Sequence, residues 1–202
     1  MKFILFRGIL GSSHNLFIFA KLFLCLVEGL HCMDRELFLN ILEDSYSAYY
    51  NIIKDGNDAG LPLAFRADYF SRAEQYWLSK KIKVWANETN EFCYVYAAES
   101  FDKAMVDKCV QQALDESLPR VKPHKEHQYS NVKVLFVADS FDKDVLKHIK
   151  AKKFEKNYKF SLHGFTMLKT CAVDLSTEVA HPNKAGYELA KYFQKLFAAR
   201  KD

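Results

Sequence analysis

The chain of 202 residues reads as an α/β protein, with α+β as the variant: one mixed sheet of about five strands with helices packed on it. Three observations predict this. Strand-like and helix-like apolar spacings follow one another along the chain. A strand-to-helix unit occurs twice, 40 residues apart. An amphipathic helix stands near each end of residues 33–202. Only 7 Gly and 4 Pro argue against an all-β sandwich or a long flexible linker, and a content of 50% hydrophobic and 27% charged residues is that of a globular chain.

The elements follow in order. Residues 34–54 place Leu37, Phe38, Ile41, Leu42, Tyr49, Ile52 and Ile53 on one stripe, which predicts a helix stopped by the Asp- and Gly-rich segment before Pro62. Residues 65–79 are ambiguous, although Phe65, Tyr69, Phe70, Ala73 and Trp77 keep a helical spacing. Residues 82–86 and 92–98 read as a hairpin around the polar turn 87–90. A helix over 102–117 is followed by the loop 119–130. The run 131–138 is almost wholly apolar and reads as a central strand. Then come a helix over 142–153, strands over 158–163 and 166–175, a short strand at 179–181, and a last helix started by Pro182 and Asn183.

The repeat is the most informative feature. Ala98, Ser100, Phe101, Asp102 and Lys103 recur as Ala138, Ser140, Phe141, Asp142 and Lys143, with Glu99 answered by Asp139. Its chemistry is that of a strand end and a helix start. Ser100 and Ser140 are expected as caps, Phe101 and Phe141 as residues tucked under the helix, and Asp102 and Asp142 as first-turn acids favoured by the helix dipole. Two copies are too few for a solenoid.

Charge is unevenly spread. Residues 1–118 carry twelve basic against sixteen acidic side chains, and residues 119–202 carry seventeen against nine. The total of +4 does not by itself imply nucleic acid. Five cysteines at wide spacing, with no Cys-x-x-Cys, fit free thiols in a reducing compartment.

Residues 1–32 read as an upstream extension or as a membrane-surface or export segment, and residues 33–202 as a single domain. Lys2 and Arg7 precede an apolar run, residues 16–27, with Lys21 in its middle. That run is short of the roughly 20 residues a membrane span needs, so integral insertion is not expected. Residues 29–32 supply no small-residue cleavage site. Met33 opens a helix with acidic residues in its first turn, which makes it a candidate start.

Four sets of residues are candidates for chemistry, and each has a plain structural alternative. Glu99 and Asp139 end equivalent strands, so adjacent strands would bring two carboxylates together for a divalent cation or acid–base work; turn and cap chemistry also accounts for them. His124 and His127 form a His-x-x-His that could ligate zinc, but spacing fixes no third ligand. Lys147, Lys150, Lys153 and Lys156, with aromatics interleaved, could bind phosphate or nucleic acid; a solvated helix end has the same look. Tyr69, Phe70, Tyr76, Trp77, Trp85, Tyr94 and Tyr96 line a pocket or build the core.

No phosphate loop or nucleophile elbow is present. The expected function is a non-catalytic binding or regulatory module of the cytoplasm, with the question of an enzyme left open. One alternative is a divalent-metal-dependent enzyme acting on nucleic acid or a phosphate compound. Another is a membrane-surface protein tethered by residues 1–32. No cofactor is predicted, and the partner the charge favours is an acidic one on the basic C-terminal face.

Overall fold

Helix α1, Arg35–Ser47, buries Phe38, Leu42 and Tyr46, one residue per turn along one face, in a computed structural model that describes residues 33–54, 60–76 and 83–198. The chain divides into two units, Met1–Met33 and Asp34–Asp202, and every described helix and strand belongs to the second. The expectations for residues 1–32 lie outside the described residues. So do Trp77 and the side chains of Tyr76 and Trp85.

The helix expected over 34–54 ends early. The Tyr49 and Tyr50 amides both close on the Tyr46 carbonyl, and Asn51–Ile53 becomes edge strand β1. Ile52 and Ile53 are β-branched, and a partner strand was available to them. That partner is β2, Leu63–Tyr76, where Asn51 faces Asp68 and Ile53 faces Arg66. Over residues 65–76 the helical spacing therefore does not produce a helix: Phe65 and Ala67 bury the same face of a strand.

Strand β3, Lys83–Ala98, runs straight through the segment expected as a turn. Asn87, Thr89 and Asn90 pair with Ala73, Ser71 and Phe70 of β2. Residues 87–90 look like a turn because they are polar. They are polar because this part of the strand is only half-buried, and its side chains find polar partners: Glu88 with His124, and Asn90 with Ser130.

The parallel core then forms. Helix α2, Lys103–Ser117, returns the chain to β4, His127–Ala138, and helix α3, Lys143–Ala151, leads back toward β6, Phe165–Asp174. β3, β4 and β6 are neighbours and parallel. The short strand β5, Glu155–Asn157, and β7, Val179–Pro182, both pair antiparallel with the outer edge of β6. The result is one seven-stranded mixed sheet against the five or so strands expected: β1, β2 and β5 are added, and the two expected strands over 82–98 are one. The strand expected over 158–163 is a turn: Lys159, Phe160 and Ser161 adopt φ of 46°, 53° and 68°. Its alternating pattern was right for a strand, but no neighbouring strand pairs with it among the described residues.

Both faces are covered. Tyr94, Tyr96, Val134 and Phe136 pack against Val106, Cys109 and Val110 of α2 and Ile149 of α3. The opposite face, with Cys93, Val95, Leu135 and Val137, lies under α1 and helix α4, Tyr187–Ala198. Phe38 of α1 stacks on Phe197 at 5.8 Å and lies 6.1 Å from Phe193. Each such fully buried aromatic contributes about 1.5–3 kcal/mol from apolar burial.

The repeat has a spatial meaning. β3 and β4 pair with an offset of 40 from Asn90↔Ser130 to Ala98↔Ala138, so each strand residue leading into the first copy lies beside its counterpart in the second.

Candidate functional site

Glu99 and Asp139 end neighbouring parallel strands, at the sheet edge where α/β proteins place ligands. Glu99 is exposed. Asp139 accepts a 2.8 Å bond from Arg35 Nη1 at the start of α1. Beside them is a shallow depression of about 290 Å³ lined by Ser100, Phe101, Asp102, Met105, Ser140 and Asp142. The serines do not cap the helices. The N-caps are Asp102 and Asp142, and Asp102 Oδ1 accepts from the Met105 amide at 2.6 Å. Phe101 is buried against Phe136, and Phe141 stacks on it at 5.9 Å with the rings 7° from parallel. Among the described residues, no group of three or more His, Cys, Asp or Glu is arranged to hold a metal ion.

A second shallow groove, about 310 Å³, runs between α2 and α3 and is lined by Lys103, Asp144, Lys147, His148 and Ala151. Asp107 clasps the two helices: it accepts from His148 Nε2 at 2.7 Å and pairs with Lys152. The Lys152 contact, with His148 adding to it, holds the Asp107 carboxyl below its usual range. Lys147, Lys150, Lys153 and Lys156 are exposed, and none forms an ion pair with another described residue. The Lys156 ammonium lies 5.6 Å above the Tyr158 ring.

His124 and His127 come to the amino end of β4 with their rings 6.4 Å apart. Both are already engaged. His124 Nδ1 accepts from the Glu126 amide at 3.2 Å, which leaves Nε2–H to donate to Glu88 at 2.7 Å. His127 is buried; its Nδ1–H donates to the His163 carbonyl at 2.7 Å, and its Nε2 accepts from Ser130 Oγ at 2.9 Å. Of the aromatic set, Tyr94 and Tyr96 are core residues, Tyr69 lies 5.4 Å from the Tyr50 ring, and Phe70 is exposed.

Sequence reasoning missed a largely buried polar cluster. On the α1 side of the sheet, Lys133 Nζ lies 2.6 Å from Glu91 and 3.0 Å from Tyr50 Oη. Tyr50 donates to Glu91, and Asn131 Nδ2 approaches it at 3.3 Å. Burial raises the Glu91 carboxyl, but Lys133, Tyr50 and Asn131 outweigh it and hold it below its ordinary range. Burial, then the bond to Glu91, pushes the Tyr50 phenol well up. The available signal was Lys133 itself, a charge inside an apolar run, which demands a buried counter-charge.

Three thiols are withdrawn. Cys93, Cys109 and Cys171 are free and buried, and burial pushes each thiol up to about 12. Among the described residues, no helix is long and apolar enough to cross a membrane.

Comparison with known proteins gives one match. A family model described as Domain of unknown function (DUF8052) covers residues 34–195. No curated protein and no solved structure matches the chain.

Proposed function

The chain belongs to the DUF8052 family, and we propose that its domain is a non-catalytic binding or regulatory module of the cytoplasm that takes an acidic partner on its lysine face. The domain is read as residues 33–202; the family match and the second structural unit both begin at Asp34, which supports that boundary. One observation carries the functional reading. Lys147, Lys150, Lys153 and Lys156 stand exposed along one stretch from α3 to β5, with no ion pair to another described residue. Meanwhile several groups able to do covalent or acid–base work among the described residues are buried or bonded: three thiols, His127, and the Glu91–Lys133 pair. Unpaired surface lysines raise the local potential and recruit anions. The test is retention of the full chain on immobilised heparin over a salt gradient. The native protein is expected to elute at higher salt than Lys147→Glu/Lys150→Glu. Passage of the native protein through the column at low salt overturns the reading.

A second reading, a divalent-metal-dependent enzyme acting on a phosphate compound with Glu99 and Asp139 as its acids, is favoured by the adjacency of β3 and β4. The Arg35 ion pair weighs against it, because it already neutralises one of the two carboxylates. Calorimetric titration with Mg²⁺ or Mn²⁺ decides it: heat lost in Glu99→Gln/Asp139→Asn supports it, and no heat from the native protein removes it.

A further inference from the structure

We infer that the turn joining β5 to β6 is a membrane-contacting tip, inserting Phe160 and Leu162 into the surface of an anionic lipid bilayer while the lysines behind it meet the headgroups. This rests on the lysine-face reading above and names its partner.

Three consecutive non-glycine residues, Lys159, Phe160 and Ser161, occupy the left-handed region, which L-residues avoid. The turn is nonetheless tightly held. Leu162 N bonds Lys159 O at 3.0 Å, His163 N bonds Tyr158 O at 3.1 Å, Gly164 N bonds Ser161 O at 3.1 Å, and Ser161 Oγ donates to Asn157 Oδ1 at 2.9 Å. Strain locked in this way marks segments kept for a purpose other than packing. Its effect is to hold Phe160 at 100% exposure and Leu162 at 76%, two of the three most exposed large hydrophobics among the described residues.

The charge of the chain leading into the tip is one-sided. Residues 147–159 carry six lysines and one carboxylate, and of these Lys152 alone is tied down by an ion pair with a described residue. The tip lies at the amino ends of β4 and β6, where Tyr129 faces Phe165. The carboxylates lie at the opposite end of the sheet, Asp139 after β4 and Glu99 after the neighbouring β3. A surface approached by this end meets apolar side chains first and ammonium groups next.

That order selects a bilayer over other acidic partners. A nucleic acid could stack a base on Phe160 but has no use for Leu162. An acidic protein would need a pocket shaped to a convex tip. The headgroup–acyl boundary takes both side chains without a preformed shape, and anionic headgroups attract each nearby lysine.

The test is flotation of the full chain with vesicles of phosphatidylcholine mixed with phosphatidylserine, against phosphatidylcholine alone. Binding is expected only to the mixed vesicles and weakens as salt rises. Phe160→Ser/Leu162→Ser is expected to lower the partition coefficient about tenfold or more, and Lys153→Glu/Lys156→Glu by a similar factor. All four substitutions are at exposed positions, and circular dichroism confirms the fold of each variant. Mixed-vesicle binding that Phe160→Ser/Leu162→Ser leaves intact overturns the tip. A native protein that is retained on heparin and binds a single-stranded oligonucleotide but not vesicles overturns the lipid assignment and leaves the lysine-face reading standing. Binding to neither heparin nor vesicles removes both.

Discussion

Lys133 on β4 holds its ammonium 2.6 Å from the carboxylate of Glu91 on β3, with both side chains largely withdrawn from water. They are diagonal neighbours, since Glu91 pairs with Asn131 and Lys133 with Cys93. A buried charge is tolerated only with its partner, and removing one leaves the other uncompensated. Lys133→Met is therefore expected to destabilise the domain by about 2–4 kcal/mol. The double change Lys133→Met/Glu91→Leu is expected to recover most of that loss. Urea denaturation of the three proteins measures it, and equal stability of single and double variants would show that the pair is not coupled.

The same pair sets an acid limit. Glu91 titrates below its ordinary range in the folded protein, so near that range the unfolded chain binds more protons than the folded one. The stabilisation is complete above the unfolded value of about 4.3 and fades as pH falls through it toward the lower folded value. Melting temperatures followed downward from neutral pH are expected to drop faster for the native protein than for Glu91→Gln. Parallel curves would mean that Glu91 is not ionised in the fold.

How much of the fold was legible in the sequence depends on which physical signal a residue carried. The offset of 40 between Ala98 and Ala138 was visible, and it is also the register of the β3–β4 ladder. The apolar run 131–138 announced a central strand and is fully buried. Local patterns failed where tertiary pairing decided the outcome. Ile52 and Ile53 continue a helical stripe but have β2 to pair with. Asn87 to Asn90 look like a turn but pair with Phe70 to Ala73. Tyr158 to His163 alternate like a strand, yet β4 takes one edge of β6, and β5 and β7 take the first three and last four residues of the other. The Glu91–Lys133 cluster was missed: Lys133 was passed over inside an almost wholly apolar run, and Glu91 fell between the expected turn 87–90 and the expected strand 92–98.

Gly164 fixes the direction of the β5–β6 turn. Its φ is +75°, and an added Cβ would collide with the Gln128 carbonyl and lie 2.6 Å from the His127 carbonyl oxygen. Those atoms are backbone of a central strand and cannot yield. Gly164→Ala is expected to cost at least about 2 kcal/mol, from the left-handed backbone and the clash together. It should also release the His127 Nδ1 bond to the His163 carbonyl, visible as a shifted imidazole resonance. A neutral substitution would show that the turn can be re-formed in another conformation.

Cys93, Cys109 and Cys171 are expected to behave as apolar core atoms rather than nucleophiles. With thiols pushed up to about 12, the thiolate that reacts is almost absent at neutral pH. Under iodoacetamide, peptides containing these three are expected to label at least about a hundredfold more slowly in the folded protein than in denaturant. In alkali the unfolded thiols ionise near about 8.5 while the folded ones stay protonated, so stability falls from that pH upward. Rapid labelling of any of the three in the folded protein would place it at a surface.

Asn183 uses every hydrogen-bonding site of its amide to join three elements. Nδ2 donates to the Lys152 carbonyl after α3, at 2.9 Å, and to the Leu168 carbonyl of β6, at 3.2 Å. Oδ1 accepts from the Thr170 amide at 3.2 Å and from the Gly186 amide before α4, at 2.7 Å. The residue is buried, so Asn183→Ala leaves several backbone groups without partners and is expected to cost about 3–5 kcal/mol. Asn183→Asp keeps the acceptor but turns an anion toward two carbonyl oxygens. Its folded carboxyl is then raised, so its penalty is greatest at neutral pH and shrinks as acid protonates it and restores one donor. Denaturant melts of the three proteins at neutral and mildly acidic pH separate these cases. An aspartate variant equally damaged at both would show that the two donor bonds, rather than the charge, decide the cost.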